Sequence, residues 1–166
     1  MAADFTGLEL TPLCVASIRL EEGAPIQLGR SPWRNRRVSY IGAGGTVEGA
    51  RLTGVVRPGG GDWSEGGADA AGNALTLIDV RSLWRTHDGA DIYVTYNGRL
   101  NIPAPLLPDF RDPAKIDAIP PSAYYFRINP LFETADERYG WLNHIVAVGA
   151  GRRTRDGVVY TIFEVR

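Results

Sequence analysis

The residues best placed to do chemistry lie in Pro58-Gly59-Gly60-Gly61-Asp62-Trp63. Three glycines allow backbone conformations that other residues resist, and they deliver a carboxylic acid and an indole side by side. Asp62 fits a general base roofed by Trp63; it equally fits a turn acid that bonds loop amides. Glu133, in Pro130-Leu131-Phe132-Glu133-Thr134, is the second candidate acid. Charged and aromatic residues also recur at strand spacing. Asp79 and Arg81 share a face with Leu75, Leu77 and Leu83, a pattern that suits either a ligand-lining wall or an ion pair within one strand. Tyr125-Arg127-Asn129 and Tyr139-Trp141-Asn143 repeat the mixture of ring, amide and guanidinium that small-molecule pockets use, although tyrosines at a rim with wet hydroxyls would read the same way. These residues point to acid–base work. Asp62 or Glu133 would be the base, Tyr125 and Tyr96 proton donors, and Arg81 or Arg127 the cradle of a developing oxyanion.

Other chemistries are excluded by residue type. Lys115 is the only lysine, in a polar stretch that would not lower its pKa, and it does not follow glycine as a phosphate loop requires. One cysteine, Cys14, allows no intrachain disulfide and no paired-cysteine metal or redox site. Two histidines in no metal-binding spacing leave no zinc centre. The stretch Gly42-Ala43-Gly44-Gly45-Thr46-Val47 has valine where a dinucleotide fingerprint needs its third glycine, and no Gly-x-Ser-x-Gly elbow occurs. No metal and no cofactor is expected. Arg30-Ser31-Pro32-Trp33-Arg34-Asn35-Arg36-Arg37 could hold an anion, but a solvated loop or an oligomer contact is the reading preferred here.

The elements that must position these groups are strands. The chain has 166 residues and a net charge of -1, with 44% hydrophobic and 22% charged residues. That composition is ordinarily globular, sized for one domain over residues 1–166, and it carries no basic footprint for nucleic acid. With no long apolar run and no leader pattern, no membrane contact is expected and the cytoplasm is the expected location. Runs of β type end in Gly, Asp-Gly or Asn-Gly signals: residues 13–20, 37–41, 50–57, 75–85, 92–96, 124–129, 141–148 and 158–165. Asp88-Gly89 suits a tight hairpin. A single short helix is expected over 113–119, with Asp112 as N-cap. About eight antiparallel strands must hide their edges, so the fold class is all-β, one closed antiparallel barrel, with Pro-rich residues 99–121 covering one end and residues 58–73 as a second loop.

Read in order, Gly44-Gly45-Thr46-Val47-Glu48-Gly49, Leu52-x-Gly54, Pro58 to Trp63, Asp88-Gly89-Ala90-x-Ile92-Tyr93, Tyr124-Tyr125-Phe126-Arg127, Phe132-Glu133-Thr134 and Tyr139-x-Trp141-Leu142-Asn143 resemble a bacterial and fungal family. It is catalogued as a domain of unknown function, number three-two-three-seven. The resemblance implies a small lipocalin-like (calycin-like) barrel, often a homo-oligomer, and small organic substrates. Residues 64–73 and 30–37 depart from the family pattern and could reshape the pocket mouth. The resulting expectation is a cofactor-independent lyase, isomerase or cyclase acting on a small aromatic or polyketide-like ligand inside the barrel, with Trp63, Asp79, Arg81, Tyr96, Tyr139, Trp141 and Asn143 contacting it. The rival is a carrier barrel that binds without turnover. A purely structural assembly protein is the third possibility.

Overall fold

The structure is a computed structural model that describes residues 7–23 and 25–166. Its strands are β1 (Leu10–Arg19), β2 (Ile26–Arg30), β3 (Asn35–Tyr40), β4 (Gly44–Glu48), β5 (Gly54–Val56), β6 (Gly61–Asp62), β7 (Glu65–Ala68), β8 (Ala74–Thr86), β9 (Asp91–Ile102), β10 (Tyr125–Glu133), β11 (Val146–Arg153) and β12 (Gly157–Val165). Eight of them close a ring of antiparallel pairs, β8-β5-β4-β1-β12-β11-β10-β9 and back to β8. The barrel expected from the turn spacing is the barrel found, and Asp88-Gly89 does join its two longest strands.

Closure follows from the length of β8. One edge pairs with β9 along nearly its whole length, whereas the other is shared among β5, β6 and β7 in succession. The stretch on β6 and β7 carries β3, which in turn carries β2 as an outer hairpin. All residues of β2 are exposed, and Trp33 at the hairpin tip is 89% exposed. The arginine-rich segment is therefore strand and turn rather than a loop.

Period-two alternation sets what faces the lumen. On β8 the inward set is Thr76, Ile78, Val80, Ser82, Trp84 and Thr86; on β9 it is Ile92, Val94, Tyr96, Leu100 and Ile102. Asp79 and Arg81 point outward with Leu77 and Leu83, and they pair with each other at 2.9 Å. The expectation that their face lines the lumen is corrected. Both faces of β8 carry apolar residues, and only the ladder shows which one is inside. On β11 the inward positions include Gly149 and Gly151. A Cβ at Gly151 would lie 2.7 Å from the Phe126 ring, and one at Gly149 2.7 Å from Ile128, so these glycines make room for the side chains of β10.

Three local expectations also change. The short helix is Leu107–Arg111 (α1), earlier than expected; Asp112 instead accepts from the Ala114 amide at 2.9 Å and opens a 3-10 turn at Ile116–Ala118. The expected strand 141–148 is a 3-10 run over Glu137–His144 followed by β11. The glycine stretch before Val47 is β4, and 50–57 is strand only at Gly54–Val56. The cover over one barrel end begins after β9, at Pro103, because β9 carries the chain through Ile102. Ile116 and Ile119 are buried beneath it, Phe110 meets Tyr124 edge-on at 5.1 Å, and the Arg155 amide donates to Asp117 at 2.9 Å. Among the described residues no helix is long and apolar enough to cross a membrane.

Candidate functional site

Toward the covered end, the lumen holds a cluster of buried and partly buried polar groups. Ser39, Asp62, Val80 and Tyr96 stand in register across β3, β6, β8 and β9. The segment reaches this position because Gly60 has φ +75° and runs so close to β8 that a Cβ there would sit 2.3 Å from the Arg81 carbonyl oxygen. Only glycine fits both constraints. Gly60→Ala is expected to cost on the order of 2 kcal/mol or more, and to shift Asp62 with it. A thermal melt of the variant checks the first effect.

Asp62 is largely buried. One carboxylate oxygen accepts a hydrogen bond from the Ser64 hydroxyl and the other accepts from the Asp79 amide at 3.2 Å. Desolvation pushes the carboxyl above its usual range; the Ser64 and Asp79 hydrogen bonds and the charge of Arg37 oppose that rise without cancelling it. Tyr96 and Tyr160 meet edge-on with ring centroids 5.5 Å apart, and Phe126 completes the aromatic wall at 5.3 Å from Tyr160. Burial raises both phenols, and the nearby Asp62 carboxylate raises them further, so they stay protonated as donors. Arg153 continues the inward set of β11 above Gly151 and donates to the Thr154 and Gly157 carbonyls. Arg37 enters from β3 with its Nε buried and without a hydrogen-bond partner. Together these groups supply a proton acceptor, two proton donors and two cations beside an aromatic wall.

The other sequence candidates are distributed elsewhere. Trp63 turns away from Asp62, with the Arg81 guanidinium 5.7 Å from its ring and Tyr40 at 6.5 Å. Tyr125 and Arg127 face outward and stack on each other at 5.1 Å. Glu133 is exposed and, with Asn143 and Tyr93, lines an outer groove of about 400 Å³. Asn143 clamps Thr134, accepting from its amide and donating to its carbonyl, each at 2.9 Å. Tyr139 donates to Asp88 at 3.0 Å and thereby ties the 3-10 run to the β8–β9 hairpin. Trp141 carries the Arg51 guanidinium 4.1 Å from its ring. Of the residues named from the sequence, only Asp62 and Tyr96 meet inside the lumen. Asp79 contributes its backbone amide.

Sequence reasoning did not single out Ser64, Tyr160 or Arg153, and it assigned Arg37 to a solvated segment. Tyr160 and Ile162 do keep strand phase, so an inward tyrosine was detectable once β12 was placed. Arg37 carried no such signal, because four arginines in eight residues look alike until β3 gives alternate ones opposite faces.

A protein-family model described as "Protein of unknown function (DUF3237)" matches residues 8–165. A UPF0311 protein of Bradyrhizobium diazoefficiens is 32% identical over 151 residues, covering 91% of this chain and 93% of the relative. Among solved structures, a beta-barrel-like protein of Acinetobacter baumannii superposes with a TM-score of 0.78 at 34% identity, covering 99% of each chain. A structure described as an enzyme from Penicillium herquei gives a TM-score of 0.64 at 22% identity over 100% of both chains, a likeness of fold alone.

Proposed function

The chain belongs to the DUF3237 family of proteins of unknown function, and from that membership and the site's geometry we propose that it is a cofactor-independent acid–base enzyme acting on a small aromatic molecule at the covered end of the barrel. The observation that carries this reading is the Asp62 carboxyl, desolvated and raised above its usual range, beside the protonated Tyr96–Tyr160 pair. A carboxylate raised above its usual range is a stronger base, and a phenol that stays protonated beside it can donate a hydrogen bond. Asp62 would take a carbon-bound proton, and Tyr96 would donate to the oxygen on which charge develops. The reaction class is enolisation leading to isomerisation, cyclisation or elimination. That a structural neighbour is described as an enzyme agrees with turnover on this fold. A homo-oligomer in the cytoplasm remains part of the proposal.

The test uses 2-tetralone, an aromatic ketone whose α-hydrogens exchange into heavy water and can be followed by proton NMR. The wild-type protein is expected to accelerate exchange above the buffer rate, and Tyr96→Phe to slow it. Exchange at the buffer rate together with a thermal shift on adding 2-tetralone would make the barrel a binding module instead. Asp62→Asn exchanging as fast as wild type would remove Asp62 from the role of base.

A further inference from the structure

We infer that the ligand of this site is an aromatic carboxylate, its anionic group gripped by Arg37 and Arg153; the inference rests on the covered end of the barrel being the ligand-binding end, as proposed above.

Two arginines from different strands enter the same end of the lumen. Arg37 comes from β3, whose next inward residue, Ser39, pairs with Asp62. Arg153 comes from the end of β11, where Gly151 pairs with Tyr160. Among the described residues neither joins an ion pair. The neighbouring arginines of the outer hairpin behave differently, since Arg34 and Arg36 both pair with Glu65. Arg153 satisfies part of its fork on the Thr154 and Gly157 carbonyls. The Arg37 Nε has no partner. A buried unsatisfied donor is destabilising, and more so on a charged group, so a folded chain keeps one where something else completes it.

Charge points the same way. Burial and the charge of Arg37 both lower the proton affinity of Arg153, which still leaves it a cation at neutral pH. The Asp62 carboxylate lies near Arg37 and the phenols and Asp117 lies near Arg153, yet neither carboxylate forms an ion pair with these arginines. The phenols are uncharged. The two guanidinium groups thus stand in a partly buried setting without a direct anionic partner, where an unpaired cation is costly. An anion between them supplies that partner. A guanidinium with a free Nε edge presents two parallel N–H groups, which match the two oxygens of a carboxylate. The Tyr96, Tyr160 and Phe126 rings, packed edge-on against one another, are the apolar wall nearest this end, against which an aromatic body would pack.

Binding of 2-naphthoate and of its neutral isostere 2-naphthamide, each measured by isothermal calorimetry, tests the inference. Wild-type protein is expected to prefer 2-naphthoate by about 10–100-fold, the range of charge-assisted hydrogen bonds. Arg37→Met is expected to erase that preference, and Arg37→Lys, which keeps the charge but loses the fork, to restore only part of it. Arg34→Met, altering an exposed arginine of the hairpin, leaves the preference intact. Equal binding of the two probes, a preference that survives both Arg37 variants, or no binding of either at millimolar concentration overturns the inference. Asp62→Asn separates it from the proposed reaction. That variant should lose 2-tetralone exchange while retaining the 2-naphthoate preference. In that variant, loss of both exchange and the preference sinks only the carboxylate assignment; retention of both sinks only the catalytic one.

Discussion

Asp62→Asn reduces exchange of 2-tetralone by about 10²–10⁴-fold, the usual contribution of a positioned general base, and at the same time raises the melting temperature at neutral and alkaline pH. The two effects have one cause. Asparagine keeps the shape and can still face Ser64 and the Asp79 amide, whose hydrogen bonds now hold the carboxylate, but it removes a group that desolvation makes reluctant to ionise. The sign of the pH dependence follows. Below the unfolded pKa of an aspartate, about 3.9, the carboxyl is neutral in both states and the folded protein pays nothing. As pH rises, the unfolded chain ionises first, and stability falls until the folded carboxyl has ionised as well. The variant does not titrate at this position. The gap in melting temperature between variant and wild type is therefore expected to widen from pH 3.5 upward and level off once the folded Asp62 is ionised. Activity has the opposite trend, because the base works ionised, and wild-type exchange climbs through the same raised pKa. A variant that melts below wild type at pH 8 would show that Asp62 is a stabilising turn acid.

Trp84→Ala lowers stability by about 3–5 kcal/mol, which for a chain of this size is roughly 6–20 °C in melting temperature. Trp84 is 2% exposed and stands in register with Val56 on β5 and Ile92 on β9. Its ring lies edge-on to Phe132 at 5.9 Å, and its Nε1 donates to the Ser82 hydroxyl at 3.1 Å. Alanine would leave a cavity between three strands and a buried hydroxyl without its donor. Trp84→Phe keeps most of the volume and is expected to cost less than half as much. Trp84 lies four residues along β8 from Val80, the partner of Asp62, toward the β8–β9 hairpin, so both variants should retain exchange activity at temperatures well below their melts. Chemical denaturation and the exchange assay together check this pair.

Much of the fold was legible because its signals are local. Asp88-Gly89 dictates a tight turn whatever surrounds it, and the alternation along 75–85 and 92–96 extends into the two long strands. Tyr139-x-Trp141 misled for a related reason: an aromatic at every second position imitates a strand, while Tyr139 in fact anchors to Asp88 and Trp141 to Arg51 from a 3-10 run. The site was legible only in part. Asp62 stood out through its glycines, and Tyr96 through strand phase. Asp79, Arg81, Tyr125 and Arg127 have the right chemistry on the wrong face.

Residue type alone determined the available chemistry, since a chain with one lysine, one cysteine and no metal-binding spacing has carboxylates, phenols and guanidinium groups to work with. The number of β-type runs and the turns between them pointed to an antiparallel barrel, although not every turn signal ends a strand, since β9 runs through Asn97-Gly98 to Ile102. Tertiary structure decided which face of each strand is inside, because a strand with apolar residues on both faces has no inward side until its neighbours are paired. It also decided that Arg37 on β3, Asp62 on β6, Tyr96 on β9, Arg153 on β11 and Tyr160 on β12 share one end of the lumen. Those residues span more than a hundred positions, and the hydrogen-bonded register that assembles them exists only once the barrel closes.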